Sequence, residues 1–294
     1  LADRILADNT LKTTPPDFNV TATEETSGLY QMADDQGNSY YFRGNIENNY
    51  VDFGFNYNGN VASAEASDKL LWRIVRINGD GTIRLITENS VGKSAFNTLK
   101  NNIKYVGYTY DNSHICTKTN PCDGSEGTSS TIKNFLENWY NNNLASFDDQ
   151  IATTYYCNDT TNYLVSGSDG DYFFRADDRI YADNPKLTCS DTSVNYGGNY
   201  KLKIGLLSSD EIYLSGYRNF TSNSYLENQT VWWILSPSSF SSNTALVQEA
   251  YYSSMNGASG TNSSHYIRPV INLKADVIVT TGDGTQSNPY KIIT

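Results

Sequence analysis

The side chains able to do chemistry in this sequence are its carboxylates, two histidines and four cysteines. Paired carboxylates flanking a sugar bond give glycosidase chemistry, and Asp177, Asp178 and Asp210 are candidates among 32 Asp and Glu residues. Acids in such turn-rich stretches more often serve turns and helix caps, so a secreted glycoside hydrolase is the minor reading. A serine nucleophile needs a positioned base; His265 follows Ser263 and Ser264 but reads as a lone surface residue. His114 and His265 are far apart, and the cysteine spacings are not those of paired zinc knuckles. No Gly-rich phosphate loop precedes a helix. The chain is therefore expected to be non-enzymatic, with no cofactor and no metal.

What stands out instead is Trp232 to Pro269, a doubly aromatic strand followed by a segment rich in Ser, Asn, Gly and Tyr and closed by an Arg-Pro strand. Antibody-like loops share this chemistry, because Tyr supplies rigid contact area and Ser, Gly and Asn supply adaptable hydrogen bonds. The expected contact surface is Ser238, Ser239, Phe240, Ser242, Tyr251, Tyr252, Asn262, His265 and Tyr266; an ordinary polar loop set is the alternative. Trp232 and Trp233, adjacent in a strand, must face opposite sides. Trp72 and Trp139 read as core, and Arg268 as a buried group fixing loop carbonyls or a carboxylate.

A chain of 294 residues fits one large domain or two. Only 38% of residues are hydrophobic, but 23 Tyr, 11 Phe and 4 Trp support an aromatic-heavy core. A net charge of −11 argues against nucleic-acid partners. No apolar run approaches the ~20 residues needed to span a bilayer. The sequence starts at Leu1 rather than Met, as expected if an export signal or anchor has been removed. Of the three pairings open to four cysteines, sequence proximity favours Cys116 with Cys122 and Cys157 with Cys189. The expected location is extracellular, secreted or surface-attached.

Local patterns place the elements. Residues 1–27 read as an extended polar lead-in in which Leu1, Ile5 and Leu6 could line one short amphipathic turn before Pro15-Pro16 forces extension; it frays when isolated and could dock on a neighbouring subunit. Strands are expected at Tyr40–Arg43 and Tyr50–Phe55, and a hairpin over residues 70–87 around Asn78-Gly-Asp-Gly. Apolar residues at Ile132, Phe135, Leu136, Trp139 and Tyr140 follow helical spacing. Residues 155–200 read as irregular. Ser208 with Glu211 forms a capping box flanked by Leu207 and Ile212, and Gly216 stops that helix. Asn78, Asp80 and Gly282-Asp-Gly284 read as tight turns rather than calcium loops.

Three phrases, YYFRGNIENNYVDFG (40–54), LLWRIVRINGDGTIRLI (70–86) and WWILSPSSF with YIRPVINLKADV (232–277), resemble a group of exported surface proteins of Gram-positive gut Firmicutes. More remotely, the capped helix, the WWILSP strand and the Arg-Pro strand are similar to C-type-lectin-like domains. That superfold includes sulfatase-modifying-factor proteins and the variable proteins of diversity-generating retroelements. The resemblance implies an α+β fold over residues 28–294: a C-type-lectin-like core with β-hairpins, two to three short helices and long irregular loops. It carries no catalytic set across: no cysteine follows Cys189, no histidine cluster exists, and the sugar-binding Glu-Pro-Asn, Gln-Pro-Asp and Trp-Asn-Asp motifs are missing. The function expected is adhesion to, or recognition of, a protein or glycan at a cell surface; the alternative is a structural subunit of a pilus-like filament that self-assembles through residues 1–27.

Overall fold

The computed structural model describes residues 1–55, 69–116, 122, 127–163, 171–189, 201–218, 223–252 and 254–293. Among them α and β structure are mixed, and strands predominate over short helices. The hub is the hairpin formed by the strands Lys69–Ile77 and Ile83–Thr87, turning through Asn78–Gly81 with Gly81 at φ +81°. β-branched residues alternating around a Gly- and Asn-rich turn make this the most local, and most legible, unit of the chain.

Both edges of this hairpin are extended. Val270–Leu273 pairs with Ile83–Thr87, and Ile204–Gly205 lies beyond it. On the other edge, Tyr50–Phe55 pairs with the first half of Lys69–Ile77 and Gly37–Arg43 with its end. The Gly28–Asp34 strand then completes a hairpin with Gly37–Arg43. A second sheet contains the antiparallel series Ser254–Gly260, Thr244–Tyr252, Asn228–Ser241 and Tyr172–Phe174. Ser264–Ile267 joins it in parallel to Asn228–Ser241 and antiparallel to Gly92–Ala95.

Two strand pairs therefore pass together from one sheet to the other. Ile83–Thr87 continues into Gly92–Ala95 as Ser264–Ile267 continues into Val270–Leu273. Arg268 sits at this corner, buried, with its guanidinium 4.8 Å from the Trp232 ring centroid. Its Nε donates to Thr87 O at 2.9 Å and its Nη1 to Leu226 O at 2.8 Å. Carbonyls left out of the ladder at a bend need a donor, and Arg268 supplies it. Trp72 and Trp139 meet edge to face at 6.4 Å, and Trp72 Nε1 donates to Phe53 O.

The helices follow their local signals. Ser130 caps Thr131–Asn143, whose Ile132, Leu136, Trp139 and Tyr140 face inward. Ser208 and Glu211 close a reciprocal capping box on Ser209–Leu214. The chain reverses at Gly216, φ +108°, where a side chain would strike Asn223 O. A helix at Arg175–Tyr181 falls in the stretch expected to be irregular; its N-cap, Phe174, offers no side-chain bond, so the usual start signal is missing. The disulfides are Cys116–Cys122 and Cys157–Cys189. No helix among the described residues is long and apolar enough to cross a membrane.

The lead-in forms its expected amphipathic turn as a short helix, but it packs on the chain where fraying was expected. Ala2–Asp8 is helical and Ile5 is fully buried in the main core. Lys12 N–H donates to Leu29 O, Tyr290 OH to Asp8, and Asn223 Nδ2 to Ala22 O. Phe18 lies under the Arg43 guanidinium. This segment is thus docked on its own chain. Ile5→Ala is expected to cost about 2–4 kcal/mol, with an unfolding midpoint that does not vary with protein concentration; trans docking would make the midpoint rise with concentration.

Candidate functional site

The Trp232–Pro269 segment is sheet rather than loop. Asn228–Ser241 and Thr244–Tyr252 pair through a two-residue turn in which Ser242 and Asn243 both have positive φ, 48° and 58°, the backbone shape of a tight hairpin. Small and polar residues on a strand hide the apolar alternation, and the register shifts between Trp233 and Ser239 disturb it further.

This redistributes the expected contact residues. Ser238 and Ser239 are buried inside the long strand, a correction to their placement at the surface. Phe240 is half-buried and pairs with Ala245 and Tyr172. Ser242 is exposed at the hairpin tip and Tyr251 is exposed near the other end. Between Thr244 and Tyr251 lie seven steps of roughly 3.3 Å, or about 23 Å, so the two do not form one patch. Tyr252 pairs with Asn228 through its backbone, and its side chain lies outside the described residues. Asn262 is exposed on the turn before Ser264–Ile267. His265 and Tyr266, adjacent in that strand, face opposite sides; Lys93 Nζ sits 4.1 Å from the Tyr266 ring centroid.

The structure does gather one group that sequence reading missed. His265 Nε2 lies 2.8 Å from Glu249 Oε2, at ion-pair distance but outside hydrogen-bond geometry. The imidazole rests 4.5 Å from the Trp233 ring centroid, and Trp233 is fixed by its Nε1 donating to Ser94 O and by Phe96 at 5.8 Å. Burial raises the Glu249 carboxyl, but His265 and Ser259 outweigh it and hold the group below its usual range. Glu249 is brought here because it pairs with Trp233 across the sheet. Tyr251 follows two residues along the same strand, across an irregularity in its pairing with Ser254–Gly260. Trp233 itself is buried, so it braces this face without being a contact. The result is a largely buried Glu–His contact, with an exposed tyrosine two residues along the same strand.

Each carboxylate named for glycosidase chemistry is engaged by a neighbouring side chain. Asp210 is gripped by Arg179 Nε and Nη2 at 2.9 and 2.7 Å, and it also accepts from Lys186 N. Arg179 in turn pairs with Asp159. Asp178 pairs with Arg175 at the surface. Asp177 faces Gln248, whose Nε2 donates to it. Among the described residues, one cluster has ligand-type atoms close enough for a metal, namely Asp111, His114 and Cys122. The Cys122 sulfur is committed to its disulfide and offers no thiolate. Asp80 and Asp283 each accept from a Thr two residues on, as turn residues do.

A second polar region lies beneath the hub hairpin. Arg76 and Arg84 pair directly across its strands, a like-charge arrangement that is unfavourable by itself. Glu211 reaches between them, 3.1 Å from Arg76 Nε and 2.6 Å from Arg84 Nε, while its other oxygen accepts Ser208 N–H at 2.9 Å. Burial pushes this carboxyl up, but Arg84, Arg76 and Ser208 together hold it below its usual value. Arg76 continues to Asp34 at 2.8 Å. Sequence alone marked Glu211 as a cap; its second role depends on a cross-strand register that spacing does not show.

Two outcomes follow. Glu211→Gln keeps the shape and leaves two buried arginines opposed, so a loss of about 3–5 kcal/mol is expected, measured by denaturant unfolding at neutral pH. Because the folded group titrates below its unfolded value, its contribution is present at neutral pH and lost on acidification. Asp177 behaves in the opposite sense. Burial, reinforced by Asp178 and opposed by Gln248, pushes it up to about 6, so ionising it destabilises the fold as pH rises from about 4 to 6. Asp177→Asn is expected to add about 1–3 kcal/mol at pH 7 and almost nothing at pH 3.5. No family model, curated protein or solved structure matches this chain.

Proposed function

We propose that this chain is a non-enzymatic extracellular recognition module with a C-type-lectin-like core, binding a protein or glycan partner at a cell surface. The observation that supports the reading is exposed Tyr251, two residues along the strand from a buried Glu249–His265 contact braced by Trp233. An aromatic held on a paired strand gives contact area with little ordering cost. Two disulfides accord with an oxidising compartment. Recognition is favoured over assembly through residues 1–27 because Ile5 and Phe18 already pack against the same chain.

The binding surface is accordingly narrower than the full Ser/Tyr/Asn set: it centres on exposed Tyr251, on the strand that Glu249 holds against His265. Beads carrying the protein should adhere to arrayed glycans or purified surface proteins. Tyr251→Ala and Glu249→Gln should each weaken that adhesion at least about tenfold, the scale of an interface hot spot. The unfolding midpoint of Tyr251→Ala should stay within about 2 °C of wild type, since its side chain stands outside the core. Adhesion that survives both substitutions would overturn this surface.

A further inference from the structure

Apart from the strand that carries Tyr251, the chain forms a polar cleft of ≈ 870 Å³. Its walls are the segments around Ile46, Tyr225 and Gln286, together with Tyr50, Arg73 and Glu88. Backbone bonds tie these segments to one another. Tyr225 N–H donates to Gly44 O at 2.9 Å, and Tyr50 N–H donates to Gly284 O at 2.7 Å. Asp283 stiffens the last segment by accepting from Thr285 N–H and Thr285 Oγ1.

Arg73 is the informative group. It is only 3% exposed, and its guanidinium is held from several sides. The ring centroids of Tyr50 and Tyr225 lie 3.8 and 5.1 Å from its Cζ. Nε donates to Asn49 Oδ1 at 2.7 Å, and Nη2 donates to Ile46 O. Nη1 is the arm left over. It makes no hydrogen bond among the described residues, yet it is not sealed into the core, and Arg73 lines the cleft. Nη1 faces Glu88 Oε2 across 3.8 Å, whereas Glu211 closes to 3.1 and 2.6 Å on Arg76 and Arg84. A separation of 3.8 Å is too long for a direct hydrogen bond, but one oxygen about 2.8–2.9 Å from both atoms bridges it. That oxygen must accept from Nη1 and donate to Oε2. A hydroxyl does both, while a carboxylate cannot donate and an ammonium cannot accept. A ligand hydroxyl also reproduces the bonds a water makes in such a gap, so its entry forfeits none of them. Glu47 and Glu227, both exposed, add two more carboxylates to the lining. They suit further hydroxyl donors and oppose an anion. Several hydroxyls on one rigid ring describe a sugar, and the cleft is within the size range of small-molecule sites.

We propose that this cleft binds a neutral saccharide, with one hydroxyl bridging Arg73 Nη1 and Glu88 Oε2 and others donating to Glu47 and Glu227. The site is independent of adhesion through Tyr251, and its failure would leave that reading untouched.

Galactose, glucose and mannose, each beside its uronic acid, test this on the unaltered chain. The two members of each pair share a ring and differ by a carboxylate in place of a hydroxymethyl group. Calorimetric titration of the intact, oxidised chain at neutral pH should show saturable one-to-one binding of at least one neutral sugar. Its uronic acid should bind at least about tenfold more weakly, because the three glutamates oppose it. Glu88→Ala removes one charge-assisted acceptor and should weaken the neutral sugar about tenfold, whereas Tyr251→Ala should leave it unchanged. Glu227→Gln, at an exposed position, should weaken it several-fold with an unchanged unfolding midpoint, which keeps the test decisive if Glu88→Ala lowers stability. Binding of none of the three sugars, or equal binding of a sugar and its uronic acid, would overturn the proposal. So would binding that persists unchanged in both glutamate variants, or that disappears in Tyr251→Ala.

Discussion

The fold is organised around one buried carboxylate. Arg76 and Arg84 stand opposite each other on the central hairpin, and two guanidiniums in that register repel unless an anion lies between them. Glu211 provides it from a different element, the Ser209–Leu214 helix, while closing that helix's own N-terminus on Ser208. One side chain thereby fixes the helix start, the helix position on the sheet and the charge balance of the hub. Arg76 then carries the constraint to Asp34, whose other oxygen accepts from Gln36 N and Gly37 N in the first hairpin's turn. Such a network is of high consequence because each member satisfies the next, and the loss of one strands a buried charge.

The second constraint is geometrical. Two strand pairs bend together from one sheet into the other, and the Arg268 guanidinium is placed where both change direction. On one side of the Asn228–Ser241 strand Trp232 packs under Arg268; on the other Trp233 supports His265. The corner therefore sets both the core packing and the tilt of the face that carries Glu249 and Tyr251. A contact surface built on strands fixed this way differs from a set of flexible loops. It presents few side chains, but it holds them in defined orientations.

How much of this was legible in the sequence follows the range of each signal. The 69–87 hairpin, the 131–143 helix and the Ser208–Glu211 box are written in patterns contained within a single helix or hairpin, and they formed where those patterns lie. Sequence proximity likewise favoured the two disulfides that are present. The 228–260 strands were masked because Ser, Gly and Ala fill strand positions without an apolar alternation, and because bulges near Trp233 and Pro237 break the period. For the same reason Ser238 and Ser239 looked like surface. The helix at 175–181 lacks a side-chain cap and carries acidic residues that read equally well as turns. Glu249 could not be singled out at all, since its partners, His265 and Trp233, come to it through register alone.

The same division of charge bears on what kind of partner the molecule suits. Its interior carboxylates are largely committed: Glu211 to two arginines, Asp210 and Asp159 to Arg179, Asp34 to Arg76. Groups clamped this way hold structure and are poorly placed to exchange protons with a substrate. The outward face at Tyr251 offers an exposed aromatic ring, while the Glu249 and His265 atoms that meet nearby along the sheet are buried. The surplus of acid, −11 over the chain, remains as a diffuse field. A field of that sign slows approach to anionic polymers and membranes and leaves neutral or cationic partners unopposed. On the proposed reading, selectivity comes in two stages, a weak long-range sorting by charge and a short-range reading by exposed Tyr251.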